Sequence, residues 1–302
     1  MRVTNNMIMS NTMYNLNRNL SNMNKRYTQL STGKRVNKPS DDPVSASKAL
    51  KLRADVSEIE QHQRNTKDAL SWLDITESAV DNLQDVLHRA KELTVQAATG
   101  TMGKDDREKV VSEIKQLKEQ IMQIGNTTYA GRYIFSGFQT DKKLFDDPKG
   151  DGTYNIDVTG NQNISYQIAV GEQIEVGVFG TELFGKDGSG TKSEVVKDFD
   201  DLITRLEAEP RGDVKDSVAK IEAHLDNTLK VRGEIGAKTN RLQLVEKRLE
   251  KDAINFTELL SENEDVDMAE TIMHLKMEES VYRASLSAGA QVIQPTLLDF
   301  IR

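Results

Sequence analysis

The sequence predicts a mainly α-helical chain with a small β-rich insert, folded as an elongated helical hairpin with paired termini at one end and an α+β insert at the other. Three observations carry this. Apolar residues recur at alternating steps of four and three near both ends and along two long stretches between them, the rhythm of coiled-coil helices. From 131 to 211 the rhythm lapses, and short runs alternate at period two among Gly, Asp, Thr, Tyr and Phe. Aromatic residues are 5% of the chain and charged residues 29%, a balance that suits helical rods better than one broad core. The simplest arrangement pairs 1–42 with 266–302 as a terminal coiled coil and 43–130 with 212–265 as a helical rod. It leaves 131–211 as the insert.

The first helix carries Met9, Met13, Leu16, Leu20, Met23, Tyr27 and Leu30 on one seam. Eight asparagines lie in the same stretch, Asn5, Asn6, Asn11, Asn15, Asn17, Asn19, Asn22 and Asn24. Asparagine is a weak helix former because its amide competes for the backbone. Burying seven apolar side chains does not offset the ordering entropy of about thirty residues, so the helix needs a partner. The partners expected are the end of the same chain and further copies of it. Gly33 stops the helix. A linker through Pro39 leads to Asp41, Asp42 and Pro43. An acidic N-cap before proline at the first helical position starts the next helix.

That helix spans 44–98, roughly 80 Å at 1.5 Å per residue. Ala49, Leu52, Val56, Ile59, Gln63, Thr66, Leu70, Leu73, Glu77, Val80, Gln84 and Leu87 continue the alternation, and its polar members set register. Gly100 and Gly103 end it. A third helix carries Val110, Ile114, Leu117, Ile121 and Ile124. In the insert, 154–158, 164–170 and 173–178 read as strands of one antiparallel sheet over Phe135, Phe138, Phe145, Phe179 and Phe184. A helix at 192–208, ending near Pro210, packs on it.

Leu225, Leu229, Ile235, Leu242, Leu249, Phe256 and Leu260 mark another long helix, and Asp265 or Asp267 caps the last. The last helix has two apolar stripes, Met268, Ile272, Leu275, Tyr282, Leu286 and Ile293 on one side, and Met273, Met277, Val281, Ala284 and Ala288 on another. Two apolar faces imply two neighbours. Ser285, Ser287, Ala288, Gly289 and Ala290 admit close helix approach. Pro295 ends the helix, and Leu297 and Leu298 follow.

Net charge is −8, against nucleic acid as the main partner. Residues 1–40 carry seven Lys and Arg and no acid, whereas 262–302 carry eight acids and three bases, so the ends attract each other. There is no cysteine, and no run of eighteen apolar residues to span a membrane. The N-terminus has no apolar secretory core. His62, His88, His224 and His274 are not spaced as helical metal pairs and read as solvated helix residues. Asp147–Gly152 resembles a calcium loop but has Lys149 and Val158 where oxygen ligands belong, and reads as a hairpin turn, with a weak surface calcium site as the alternative. No phosphate loop or nucleophile elbow is present, so no catalytic, cofactor or metal site is expected.

Residues 1–4, Asn17-Arg18-Asn19-Leu20 and 29–37 resemble the start of bacterial flagellins and hook-associated proteins. Pro39-Ser40-Asp41-Asp42-Pro43-Val44 is more similar to the hook–filament junction group of that family than to filament flagellins, which have a small-residue run with a Gly-Leu-Ala step after the two aspartates. Tyr133–Gly137 and the ending 294–302 resemble the same group. The resemblance covers about 1–135 and 220–302. It implies an extracellular structural protein of the bacterial flagellum, exported unfolded by the flagellar type III apparatus. Its implied partners are copies of itself, the first hook-associated protein, flagellin and an export chaperone on the C-terminal helix, with no nucleic acid or membrane. It implies terminal coiled coils in an inner core and an outward-facing insert. The expected interface is Met13, Leu16, Leu20, Met23, Tyr27 and Leu30 with Ile272, Leu275, Tyr282, Leu286, Ile293, Leu297 and Leu298, joined through the linker Gly33, Pro39, Asp41, Asp42 and Pro43. Filament flagellin, a coiled-coil scaffold and a helical enzyme with a scattered site are the rival readings.

Overall fold

The computed structural model describes residues 5–98, 103–146, 150–156, 163–188, 190–208 and 215–292. Helices make up 74% of it. In order they are α1 (Asn5–Thr32), α2 (Pro43–Ala98), α3 (Lys104–Gly125), α4 (Gly180–Phe184), α5 (Glu194–Glu207), α6 (Lys215–Glu264) and α7 (Met268–Val292). Four short strands form two antiparallel pairs, β1 (Thr128–Tyr129) with β2 (Arg132–Tyr133), and β3 (Ser165–Ala169) with β4 (Glu172–Glu175). The chain divides into a terminal unit, Met1–Glu58 with Asp252–Arg302, and a central unit, Ile59–Lys251. Both α2 and α6 run through the two units.

The central unit holds nearly all the apolar core. On α2, His62, Thr66, Ala69, Leu73, Thr76, Val80, Leu83, Leu87, Ala90, Thr94 and Ala97 are buried at alternating steps of four and three. The expected seam positions Gln63, Leu70, Glu77 and Gln84 are half-buried beside them. Ranking by side-chain size favours Leu70 over Ala69, and the observed seam runs through the smaller residue. His62 is therefore buried, not solvated. On α6, Ile221, Thr228, Val231, Ile235, Leu242, Val245 and Leu249 face inward while Leu229 is exposed. The two helices run antiparallel: Gln63 Nε2 donates to the Leu249 carbonyl at 3.1 Å, Arg232 bonds Asp81 at 2.6 Å, and Lys91 bonds Glu222 at 2.9 Å.

Among the described residues the strands form two separate hairpins rather than one sheet, and the first, β1–β2, begins before the expected insert. Tyr154 makes only an isolated bridge to Phe145 and Thr153 one to Lys192. Side chains anchor this stretch instead of a ladder: the Tyr154 hydroxyl donates to the Gly185 carbonyl at 2.5 Å and its ring stacks on Phe145. Val158 lies outside the described residues. Phe135, Phe145, Phe179 and Phe184 are buried, and Phe184 meets Phe135 and Phe145 edge-on. Phe138 is exposed instead of joining them. Gly152 sits at φ +72° with the Val196 side chain 2.6 Å from where a Cβ would lie, so α5 closes over that turn. Asp198 of α5 is buried against Lys220 and His224 of α6, with His224 Nε2 at 2.8 Å. Burial pushes the Asp198 carboxyl up, but the hydrogen bonds from His224 and Lys220 outweigh it and hold the pKa below its ordinary value.

Candidate functional site: the terminal helix pair and its polar clasp

The terminal unit has almost no core. Among the described residues its buried apolar ones are Ala49, Leu52 and Leu275. Its order comes from two features, an antiparallel helix pair and a knot of polar contacts.

α1 and α7 pair with opposite directions. Asn19 Nδ2 donates to Ser285 Oγ at 3.0 Å and Arg26 Nε reaches Glu278 Oε1 at 3.5 Å, so partners advance along one helix as they recede along the other. Thr12 Cγ2 lies 3.3 Å from where a Cβ on Gly289 would stand. The side of α1 turned toward α7 carries Thr12, Leu16, Asn19, Met23, Arg26 and Leu30, with Leu20 half-buried and Gln29 buried. The facing side of α7 carries Thr271, Leu275, Glu278, Tyr282, Ser285 and Gly289. Both sets alternate four and three.

Leu16, Leu20, Met23, Leu30, Leu275 and Tyr282 of the expected interface therefore lie within this pair. Met13, Tyr27, Ile272 and Leu286 are exposed, Tyr27 by 66%, and Met13 and Leu286 line a groove between α1 and α7. Each sits one residue past a seam position, about 100° round the helix. The seam mixes Leu16, Met23, Leu30, Leu275 and Tyr282 with small and polar residues that allow close approach and cross-helix hydrogen bonds, and Met13, Tyr27, Ile272 and Leu286 flank it. Met268, Met273, Met277 and Val281 are also exposed. Ser285 and Gly289 are small residues that meet α1, and Ala290 lines a groove with Thr12 and Leu16; Ser287 and Ala288 are exposed. Ile293, Leu297 and Leu298 lie outside the described residues. Thr12, Asn19, Arg26, Glu278 and Ser285 escape a search for apolar stripes. Their signal is that the same spacing continues through polar residues one position earlier.

At one end of the pair the chain breaks helix twice. Gly33 takes φ +69° directly after α1, a conformation that suits glycine. Asp42 caps α2 by accepting the amides of Val44 and Ser45, both at 3.1 Å, with Pro43 as first residue. Hydrogen bonds from Ser45 lower the Asp42 pKa. Asp267 caps α7 through Ala269 and Glu270; Asp265 has another task. The two breaks zip together: the Arg35 amide donates to the Glu264 carbonyl at 2.7 Å, and the Val266 amide to the Gly33 carbonyl at 3.0 Å.

Charged side chains lock this zipper. Glu264 is 1% exposed and accepts from Arg53, with Lys34 at 3.5 Å; Lys34 also bonds Asp265 at 2.5 Å. The hydrogen bond from Arg53 holds the Glu264 carboxyl below its ordinary pKa, and Lys34 does the same for Asp265. The Arg35 guanidinium donates to the Asn263 carbonyl, and Asn263 to that of Ser45. Lys25 reaches Asp41 at 3.5 Å, and Asp41 accepts from the Lys38 amide. Pro39 lies exposed in the intervening turn. Basic residues of the N-terminal segment thus meet acids of the C-terminal one at Arg26–Glu278, Lys34–Glu264 and Lys34–Asp265.

Among the described residues no group of three or more His, Cys, Asp or Glu is placed to hold a metal ion, and no helix is long and apolar enough to cross a membrane.

α1 and α7 thus form one antiparallel pair of helices, clasped by charge and flanked by large exposed apolar side chains. Residues 3–140 match the family model of the bacterial flagellin N-terminal helical region, and residues 218–301 that of the C-terminal helical region. The chain belongs to the bacterial flagellin family, whose members are structural proteins located in the flagellum. It is 29% identical to flagellar hook-associated protein 3 of Escherichia coli K12, over 95% of this chain and 96% of that one. It is 29% identical to flagellin of Bacillus subtilis 168, over 97% of each. Among solved structures, Bacillus cereus FlgL aligns over 70% of this chain and 99% of its own, with TM-score 0.59 and 23% identity, a likeness of fold.

Proposed function

We propose that this chain is the flagellar junction protein that links the hook, through the first hook-associated protein, to the flagellin filament. It does so by self-assembly of its terminal helices. The observation that carries the reading is where apolar surface is left uncovered. Of twenty-one exposed large apolar residues among the described ones, fifteen lie in the smaller, terminal unit. Eleven of these fifteen lie on α1 and α7, a helix pair that already exists, so neighbours can cover them without unmaking it. The likeness to hook-associated protein 3 over nearly the whole length of both chains supports the junction role.

The pair is weak alone, because much of its seam is polar and α1 is rich in asparagine. Such ends pass an export channel unfolded and order fully on docking, which suits export by the flagellar type III apparatus to the extracellular flagellum. Before export, a chaperone covers Met273, Met277 and Val281 on the C-terminal helix. The insert, 131–211, faces outward in the assembly.

The double variant Leu20→Asp with Tyr27→Asp tests this. Incorporation onto hooks bearing the first hook-associated protein is lost, while the central unit keeps its near-ultraviolet spectrum and protease resistance. Normal incorporation would overturn the reading. The comparable likeness to Bacillus subtilis flagellin keeps filament flagellin as a second reading, distinguished by whether purified chain grows long filaments by itself.

A further inference from the structure

Sulfur in this chain is all thioether: ten methionines and no cysteine. Its distribution is uneven. Met7, Met9 and Met13 are exposed on α1, and Met268, Met273 and Met277 on α7, where Met273 is 62% exposed. Met23 is half-buried at the α1–α7 contact. Met122 of α3, in the central unit, is 1% exposed. Met9 with Met13, and Met273 with Met277, are spaced by four residues, so each pair shares a helix face. Met9 and Met13 also line a groove of about 250 Å³ with Thr12, Leu16, Leu286 and Gly289.

We infer that the exposed methionines of α1 and α7 are a site of two-electron oxidation, and that sulfoxide formation there disables the unassembled chain for assembly. The consequence for assembly rests on the function proposed above. With hydrogen peroxide as oxidant, a sulfur lone pair attacks one peroxide oxygen. The S–O bond forms as the O–O bond breaks, and the departing hydroxide takes the remaining proton and leaves as water. Sulfur is oxidised by two electrons and peroxide reduced by two. The product places a strong acceptor oxygen on a side chain that was apolar. On a surface whose adhesion depends on thioether packing, that oxygen must be desolvated without a donor to meet it. No thiol in the chain competes for the oxidant, and the buried Met122 is shielded from it.

Peroxide titration of the purified full chain, mapped by peptide mass spectrometry, tests the site. Met13, Met273 and Met277 gain oxygen about tenfold faster than Met122 or more, as exposure governs the reaction. Equal rates would overturn the inference. Incorporation onto hooks bearing the first hook-associated protein tests the consequence. The oxidised chain incorporates at least about tenfold less than untreated chain, and reductases for both sulfoxide epimers restore it. The variant Met7→Leu, Met9→Leu, Met13→Leu, Met268→Leu, Met273→Leu, Met277→Leu, in which volume and apolarity are kept, incorporates before and after peroxide. Undiminished incorporation of oxidised chain, or equal loss in the leucine variant, would sink the inference. Failure of untreated chain to incorporate would instead overturn the function reading, and the consequence for assembly with it.

Discussion

Arg53 grips both oxygens of the Glu264 carboxylate, its Nε donating to Oε2 at 2.9 Å and its Nη2 to Oε1. Glu264 is the last residue of α6, and its own carbonyl takes the Arg35 amide. One residue thus ends a helix, binds the linker by its backbone and binds α2 by its side chain. A buried carboxylate needs its partners, because losing one leaves a charge neither solvated nor paired. Lys34 remains nearby and Arg53 is half open to water, so Arg53→Met costs about 1–2 kcal/mol of local stability. The check is hydrogen exchange at the Arg35 and Val266 amides, which speeds up in the variant while amides of the central unit hold their rates.

The same clasp weakens in acid. The pKa values of Glu264 and Asp265 are lowered in the folded chain from ordinary values of 4.5 and 3.8. A lowered carboxyl pKa contributes stability that is complete above the ordinary value and disappears as pH falls through the folded one. The terminal unit therefore keeps its clasp at pH 5 and above and loosens below about 4.5. Exchange at the Val266 amide, corrected for intrinsic rate, should show that onset. Glu264→Gln with Asp265→Asn should remove most of the acid limb. An unchanged limb would place the responsible carboxyls elsewhere.

Gly33 fixes how α1 ends. At φ +69° a side chain is strained, although no atom crowds the position. Gly33→Asn is nearly neutral, because asparagine visits this region readily, whereas Gly33→Val costs about 1–2 kcal/mol. Thermal melts of the terminal helices, read by site-labelled probes on α1, separate the two variants. Equal melts would mean the linker adapts by another turn.

The rhythm of the helices was legible in the sequence, because alternating steps of four and three survive whatever side chains occupy them. So were the helix breaks, since Gly33, Asp42 and Pro43 act locally. Seam phase was harder to read. Tyr27 outranks Arg26 on any apolar scale, and Ile272 outranks Thr271, yet Arg26 and Thr271 face the partner helix. Hydropathy finds the most apolar face of a helix, and on α1 and α7 that face does not coincide with the intramolecular seam. The clasp was legible only as opposite net charge at the two ends. Arg53 and Glu264 lie 211 residues apart, and no local spacing joins them. In the insert, period-two alternation marked β3 and β4, but the stretch around Tyr154 is fixed by ring stacking and a hydroxyl bond that the sequence pattern does not encode.

The contact between Asn19 and Ser285 bears most directly on how the pair is tuned. A polar pair on a helix seam selects one register at a cost in stability. Here the Asn19–Ser285 hydrogen bond favours the observed register over ones that would leave the amide unpaired. Asn19→Leu with Ser285→Ala removes both effects. The seam gains apolar contact, and the isolated chain becomes more helical and more protected at α1 and α7, by about 1 kcal/mol. Register discrimination falls, because sliding the helices no longer strands an amide. Circular dichroism of the dilute chain should rise in helical signal, while cross-linking between cysteines placed at positions 12 and 289 should become less selective over neighbouring positions. Higher helicity with undiminished selectivity would show that register is held by the Lys34, Arg53 and Glu264 clasp rather than by the seam. Lower helicity would mean the asparagine–serine bond stabilises the pair outright.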